Sequence, residues 1–267
     1  MKAILSRKGF DSEYGGIPSP IMPDGTLISL PIPYEQDIIK YTDLIFQGKS
    51  YFEIINELSP PDKQLKKNHT AHLDPDIRFE CLPKRNKDWR PVFGQSDAAL
   101  GHLIKQGVQP GDIFLFFGWF RQTEWYKGKL RYVKNSPHLH IIYGYLQIEN
   151  ILNTAEQLPE YVLHHPHANE FHRSKVLNAI FIGKEHLDFL PTHKGAGTLS
   201  FSEDRVLTKA NETRSRWKLP DFFKELQISY HTNKSFKQNY FQSAAKGQEF
   251  VIQPDARLTE WVSRLIK

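Results

Sequence analysis

Cysteine is nearly absent. Cys81 is the single thiol in 267 residues, so no intrachain disulfide can form and a cysteine-built zinc site is excluded. No apolar run approaches the roughly 20 residues that span a bilayer. Lys8, Asp11 and Glu13 interrupt the N-terminal region before a signal-peptide core could form. The expected location is cytoplasmic. A P-loop, a dinucleotide-binding glycine fingerprint, H-E-x-x-H and G-x-S-x-G are all missing, which argues against kinase, NTPase, dehydrogenase and serine-hydrolase chemistry. A zinc deaminase needs a cysteine pair that this chain does not have.

What is present is a chain long enough for a real core, with 39% hydrophobic and 24% charged residues, as in ordinary globular domains. Neither a repeat nor a low-complexity tract marks a boundary, so a single domain over 1–267 is expected. Aromatics reach 13% and the net charge is +5. Position matters more than the total. Lys84, Arg85, Lys87 and Arg90 surround Trp89; Lys127, Lys129, Arg131 and Lys134 lie among Trp125, Tyr126 and Tyr132; Arg205, Lys209, Arg214, Arg216 and Lys218 flank Trp217. Lys63, Lys66 and Lys67 cluster with His69. Cations interleaved with aromatics suit phosphates and unstacked bases, although for any one cluster a solvated loop is the simpler reading.

Strand signals fall at Ala3–Ser6, 26–30, 113–117, 139–148 and 176–183, and near Gly247–Val251. A hairpin is expected over 198–208. Helical spacing appears over 35–47, 50–58, 97–105, 154–162, 221–226 and 259–266, with Ser96 or Asp97 as a cap. The Gly/Pro-rich stretch 9–34 cannot be a helix. Without a regular βα alternation, the expected class is α+β with a mixed, largely antiparallel sheet. Pro110-Gly111-Asp112 is a turn before the run Ile113–Phe117, and Leu139–Ile148 returns as its partner. This hairpin resembles those of PUA- and EVE-type barrels, which implies binding of RNA or of modified bases. Phe117, Trp119, Phe120 and Arg121 around Gly118 are then expected to line a base pocket.

The densest polar cluster is His72-Leu73-Asp74-Pro75-Asp76-Ile77-Arg78. Pro75 makes Asp74 extended. An extended run puts His72, Asp74 and Asp76 on one face. Such a set can bind a divalent cation, supply a base, or stabilise the positive charge on a sugar as its base leaves. The competing reading is a surface turn with a local Asp–Arg pair. His164-His165-Pro166-His167, with His172 nearby, offers metal-ligand side chains, but Pro166 breaks regular geometry; a hydrogen-bonding or phosphate contact from His167 is preferred, and no metal is expected. His138 and His140 alternate on the returning strand. Asp11, beside Arg7 and Lys8, is the rival catalytic carboxylate in a loop after the first strand. Gln95 is a candidate for the Watson–Crick edge of a base.

Six segments in order carry a wider resemblance: S-R-K-G-F-D-S-E-Y-G-G-I-P-S-P-I from Ser6, H-L-D-P-D-I-R from His72, F-G-Q-S-D-A-A-L-G-H-L from Phe93, P-G-D-I-F-L-F-F-G-W-F-R from Pro110, H-P-H-A from His165 and G-Q-E-F-V from Gly247. Together they resemble the third family of nucleotide-modification-associated domains. The resemblance spans nearly the whole chain and implies hypermodified DNA bases and phage conflict; it assigns no catalytic residue. The residues favour a DNA glycosylase that excises modified bases from phage DNA without metal or cofactor. In that reading Asp74 or Asp11 stabilises the sugar cation, Asp76 and His72 orient it, and Arg7, Gln95, His167 and the Phe117–Arg121 segment hold the substrate. A non-enzymatic reader of modified bases and an enzyme of modified-nucleotide synthesis are the alternatives. The expected partner is DNA carrying modified bases, with no membrane and no obligate protein.

Overall fold

The computed structural model describes residues 1–244 and 249–267. Nine strands, numbered in chain order, form the main sheet: β1 (Ala3–Arg7), β2 (Ser19–Ile21), β3 (Val92–Ser96), β4 (Ile113–Tyr126), β5 (Lys129–Tyr132), β6 (Leu139–Asn153), β7 (Asn178–Gly183), β8 (Ala196–Thr198) and β9 (Glu249–Ile252). The order is β9-β1-β4-β6-β7-β3, with β2 and β5 also on β4 and β8 on β6. β1 and β2 run parallel to β4, and the other pairs are antiparallel. Helices are α1 (Tyr51–Leu58), α2 (Asp97–Lys105), α3 (Glu170–Arg173) and α4 (Ala256–Ile266). The class is therefore α+β with a mixed sheet, as expected.

The hairpin of β4 and β6 is the spine. Ile113 pairs with Gln147 and Phe120 with Leu139, with a register shift at Phe116/Phe117. Both strands run far past the short apolar runs read from sequence. Their side chains feed two apolar layers. Phe114, Phe116, Phe93, Phe181 and Val251 fill one, and Leu115, Phe117, Trp217 and Phe250 fill the other beneath α4. Phe117 and Phe120 are fully buried, so neither forms a pocket wall. Trp119 of that segment lines a cavity. Arg121 turns back on its own hairpin, donating to the Ser136 and Val133 carbonyls over the Tyr132 ring.

β1 and β2 lie end to end along the same edge of β4, at Ile113–Phe117 and Phe120–Gln122. The chain between them leaves the sheet as a loop over residues 8–18. Asp11 Oδ1 closes this loop by accepting from the Glu13 and Tyr14 amides at 2.8 and 2.7 Å. Gly15, at φ +80°, sits on the Phe10 ring; a Cβ there would meet ring carbon at 2.2 Å, so only glycine fits. The sheet coils until its far edges meet through side chains: Gln95 Nε2 of β3 donates to Glu249 Oε1 of β9 at 2.6 Å.

Several expected elements differ. Residues 35–47 are not helical, because their backbone pairs elsewhere: Tyr41 N donates to His69 O and Ala71 N to Ile39 O. Residues 26–30 give isolated bridges, Ile21 to Leu27 and Thr26 to Ser200, instead of a strand. The expected hairpin over 198–208 is replaced by β8 on β6 and a turn at Glu203–Arg205. Of residues 154–162 only Glu160–Val162 is helical, as a 3-10 turn. Gly247 and Gln248 lie outside the described residues. Ser96 holds the cap position of α2, but its Oγ accepts from Lys175 Nζ at 3.0 Å and not from the helix. Among the described residues no helix is long and apolar enough to cross a membrane.

His140 makes the stability of the fold depend on pH. Its Nδ1 accepts from Trp217 Nε1 at 3.1 Å inside the core. Burial first, then the charges of Arg7 and Arg214, push its pKa down to about 3. The unfolded chain takes up this proton near its ordinary pKa of about 6.5, and the folded chain does not. The neutral ring's contribution is therefore fully present above about pH 6.5 and is lost as pH falls toward about 3. By about pH 5 the loss is on the order of 2 kcal/mol. His140→Gln keeps an acceptor without a titration, so its melting temperature should fall less than the parent's between about pH 7 and about pH 5. Thermal melts with equal pH slopes would contradict this assignment.

Candidate active site

The chain's polar motifs converge on one cavity of about 530 Å³ between the loop over residues 8–18, the end of β3 and the segment around α3. Its volume falls in the range of small-ligand sites. Of the residues singled out from sequence, Arg7, Asp11, His72, Asp74, Gln95 and His167 all line it. Asp76 does not. Lys8, Tyr34, His172 and Lys175 complete its charged and aromatic walls.

Asp74 and Asp76 have parted company. The Asp74–Pro75 peptide bond is cis. Asp74 Oδ1 accepts from the Gly94 amide at 2.7 Å and lies 3.2 Å from His165 Nε2. Among the described residues its Oδ2 accepts no hydrogen bond. Burial alone would raise this carboxyl's pKa; the hydrogen bond and charge of His165, with Lys8 and His167, outweigh it and hold Asp74 well below the usual carboxylate range. Asp76 instead takes both Arg85 guanidinium nitrogens, Trp89 Nε1 at 3.1 Å and His164 Nε2 at 3.0 Å. The aspartate–arginine pair foreseen locally is thus made with Arg85, while Arg78 donates to Leu27 O. The H-H-P-H run docks along the D-P-D run, with His164 on Asp76 and its neighbour His165 on Asp74.

Gly94 makes the docking possible. A Cβ there would meet the His167 ring at 2.2 Å and His165 at 2.9 Å, so the strand backbone must be bare where the imidazoles lie against it. Asn178 Nδ2 donates to His167 O at 2.8 Å, which leaves Asn178 Oδ1 to face His167 Nδ1 at 2.6 Å. His167 Nδ1 therefore carries the proton. Burial, the largest cause, keeps this ring's pKa well below the ordinary value, helped by His72 and His165 and opposed by Asp74. His72 Nδ1 lies 2.6 Å from Asp37 Oδ2, and Asp37 Oδ1 accepts from Asn169 Nδ2 at 3.0 Å. His172 stacks on His167 with centroids 4.8 Å apart; burial first, then His72, lowers its pKa to about 4. Tyr34 packs against His72 and His172.

Gln95 lines the cavity with its amide already engaged, donating to Glu249 and accepting from Ser96 N. Lys8 Nζ lies 3.3 Å from the same Glu249 oxygen and over the Phe93 ring. A second cavity of about 390 Å³ adjoins the first, sharing Arg7, Asp11 and Glu13, and is bounded by Trp119, His140 and Arg214. Arg214 lies 4.0 Å over the Trp119 ring, and Trp119 Nε1 donates to His138 Nδ1.

Sequence reasoning missed Asp37, Asn178, Tyr34 and Lys175. Asp37 fell inside the expected helix over 35–47, and Asn178 looked like the start of a strand. The one usable signal was that His72 and His167 each need a fixed partner for one ring nitrogen, which no neighbour in sequence supplies.

Chemically, the site offers an anionic carboxylate, a cluster of imidazoles in which burial lowers the pKa of His167 and His172, an aromatic wall and cations at the rim. That set can hold a nucleotide and stabilise positive charge, or ligate a metal through His72, Asp74 and His167 or through Asp37, His72 and His172. Comparison with curated proteins and with solved structures gives no match. The family model described as nucleotide modification associated domain 3 matches residues 2–253, and the chain belongs to that family.

Proposed function

We propose that the cavity takes a modified nucleotide turned out of DNA and that the protein hydrolyses its N-glycosidic bond, as a DNA glycosylase in defence against phages with modified genomes. The observation that carries this reading is the meeting of Asp74, His72, Tyr34 and the cations Arg7, Lys8 and Lys175 in one cavity of nucleotide scale. A base leaving C1′ takes the bonding electron pair with it, and positive charge develops on the sugar. An anionic carboxylate held by Gly94 and His165 stabilises that charge. Water adds its oxygen to C1′, and its proton goes to the departing base nitrogen. The products are an abasic sugar and the free base.

The adjoining cavity favours a polymer over a free nucleotide. It continues past Arg7 and Asp11 to Trp119 and Arg214, a cation stacked on an aromatic as suits a flanking nucleotide. Arg214→Ala should weaken DNA binding and make log affinity fall less steeply with log salt, by about 0.9 for one lost phosphate contact. Fluorescence anisotropy across a salt series reads this; an unchanged slope would remove Arg214 from the interface.

The reaction itself is tested by incubating the protein with phage DNA rich in hypermodified pyrimidines, with unmodified DNA in parallel. Alkaline strand scission should appear at modified positions only. Tight binding to the modified DNA with no scission would replace this reading with that of a non-enzymatic reader.

A further inference from the structure

We infer that His72, Asp74 and His167 form a centre for one divalent transition-metal ion on the wall of the main cavity. Each residue offers a ligand atom, and the three atoms lie within 4.8 Å of one another. Hydrogen bonds behind both rings fix which nitrogen is left to ligate.

A histidine that ligates a metal needs one ring nitrogen bare and the other fixed by a partner. Both rings meet this condition. His167 Nδ1 gives its proton to Asn178 Oδ1, whose orientation is set by the bond from Asn178 Nδ2 to His167 O. His72 Nδ1 faces the Asp37 carboxylate, which is itself held by Asn169. With each Nδ1 engaged, the ligand atom left to each ring is Nε2. Asp74 completes the set in the same way, because Gly94 and His165 take Oδ1 and Oδ2 accepts from no described residue. Three ligands are thus presented with their outer shell already built.

The overlapping set Asp37, His72 and His172 is the weaker choice. It would spend the His72–Asp37 hydrogen bond that orients the first set. His172 nonetheless supports an ion nearby: it is 4% exposed, and neither ring nitrogen has a hydrogen-bond partner among the described residues. A buried imidazole with no hydrogen bond to either nitrogen is unusual; Asp37 Oδ1 stands 3.8 Å from its Nε2. Its ring lies 4.8 Å from His167 and 5.3 Å from His72, beside the three ligands.

Two imidazoles and one carboxylate select zinc, iron, manganese or cobalt over magnesium and calcium. Three protein ligands leave open positions on the cavity side for water. The inference rests on the proposed reaction only for its use: an ion here would hold the water that adds to C1′, and Asp74 would then serve the reaction as a ligand that places this water and not as a free anion beside the sugar.

The test is metal binding, measured apart from activity. Metal-free protein is titrated with Zn²⁺ by calorimetry and with Co²⁺ by visible absorbance, and bound metal is counted by elemental analysis. The expected result is about one ion per chain, a rise in melting temperature, and no comparable binding of Mg²⁺. His72→Gln and His167→Gln should each abolish binding; His72→Gln, at the partly exposed ring, guards against misfolding at His167, and melting curves of the metal-free variants identify folded protein. Asp37→Asn, a change at a positioning residue, should weaken affinity roughly 10- to 100-fold without abolishing it. No stoichiometric binding, or binding that survives folded His72→Gln, overturns the inference. Base release from protein that binds no metal would sink this centre and leave the reaction standing; metal bound without base release would do the reverse.

Discussion

Asp74→Asn should release base from modified DNA roughly 100- to 1,000-fold more slowly than the parent chain, the usual cost of losing an electrostatic stabiliser. Asparagine keeps the oxygen that accepts from Gly94 at 2.7 Å, so the docking of the 72–78 segment on β3 should survive. What disappears is the charge. The melting temperature should fall, because the fold favours the charged carboxyl that asparagine lacks, and DNA affinity should stay within a few-fold of the parent. Asp11→Asn is the informative comparison, because Asp11 lines the same cavity. Its Oδ1 is tied to the Glu13 and Tyr14 amides, so its loss should slow the reaction less. If single-turnover rates show the opposite order, the catalytic carboxylate is Asp11 and the roles assigned here are exchanged.

Asp76→Ala should do the reverse and lower stability by about 3–5 kcal/mol, the cost of leaving a buried charge without its partner. Asp76 is 1% exposed and takes two guanidinium nitrogens of Arg85, an indole N–H and His164. Removing the carboxylate strands Arg85, whose remaining partners are the Phe79 and Arg78 carbonyls and the Cys81 sulfur. Urea unfolding should show a lower midpoint with little change in slope. An Asp76→Ala protein of parental stability would show that the network carries no net energy. The two aspartates of one D-P-D motif are thus expected to separate by phenotype, one failing chiefly in rate and the other chiefly in folding.

That separation marks how far the sequence could be read. The residue types were legible: His72, Asp74, Asp11, Arg7, Gln95 and His167 were singled out, and all six line one cavity. Their division of labour was not. Alternation along an extended chain puts Asp74 and Asp76 on one face, but each meets a different histidine of the H-H-P-H run, 88 to 91 residues away. No local rule reports such a docking. The hairpin of β4 and β6 was legible because its apolar runs are rich in β-branched and aromatic residues. The same aromatics misled about the site, since Phe117 and Phe120 serve the core. Residues 35–47 carried helical spacing, yet their amides and carbonyls pair with residues 69–71. Tertiary pairing overrode propensity there and placed Asp37 behind His72.

The most direct measurement is the identity of what leaves the DNA. Hypermodified phage DNA is incubated with the protein, and the small-molecule fraction is analysed by mass spectrometry. The account predicts the intact modified base, in amounts equal to the abasic sites left behind, and none from Asp74→Asn on the same time scale. A modified nucleotide in that fraction would show that the phosphodiester bond is cut and not the glycosidic one. An empty fraction, with the DNA bound and its mass unchanged, would contradict the claim that this cavity performs chemistry at C1′.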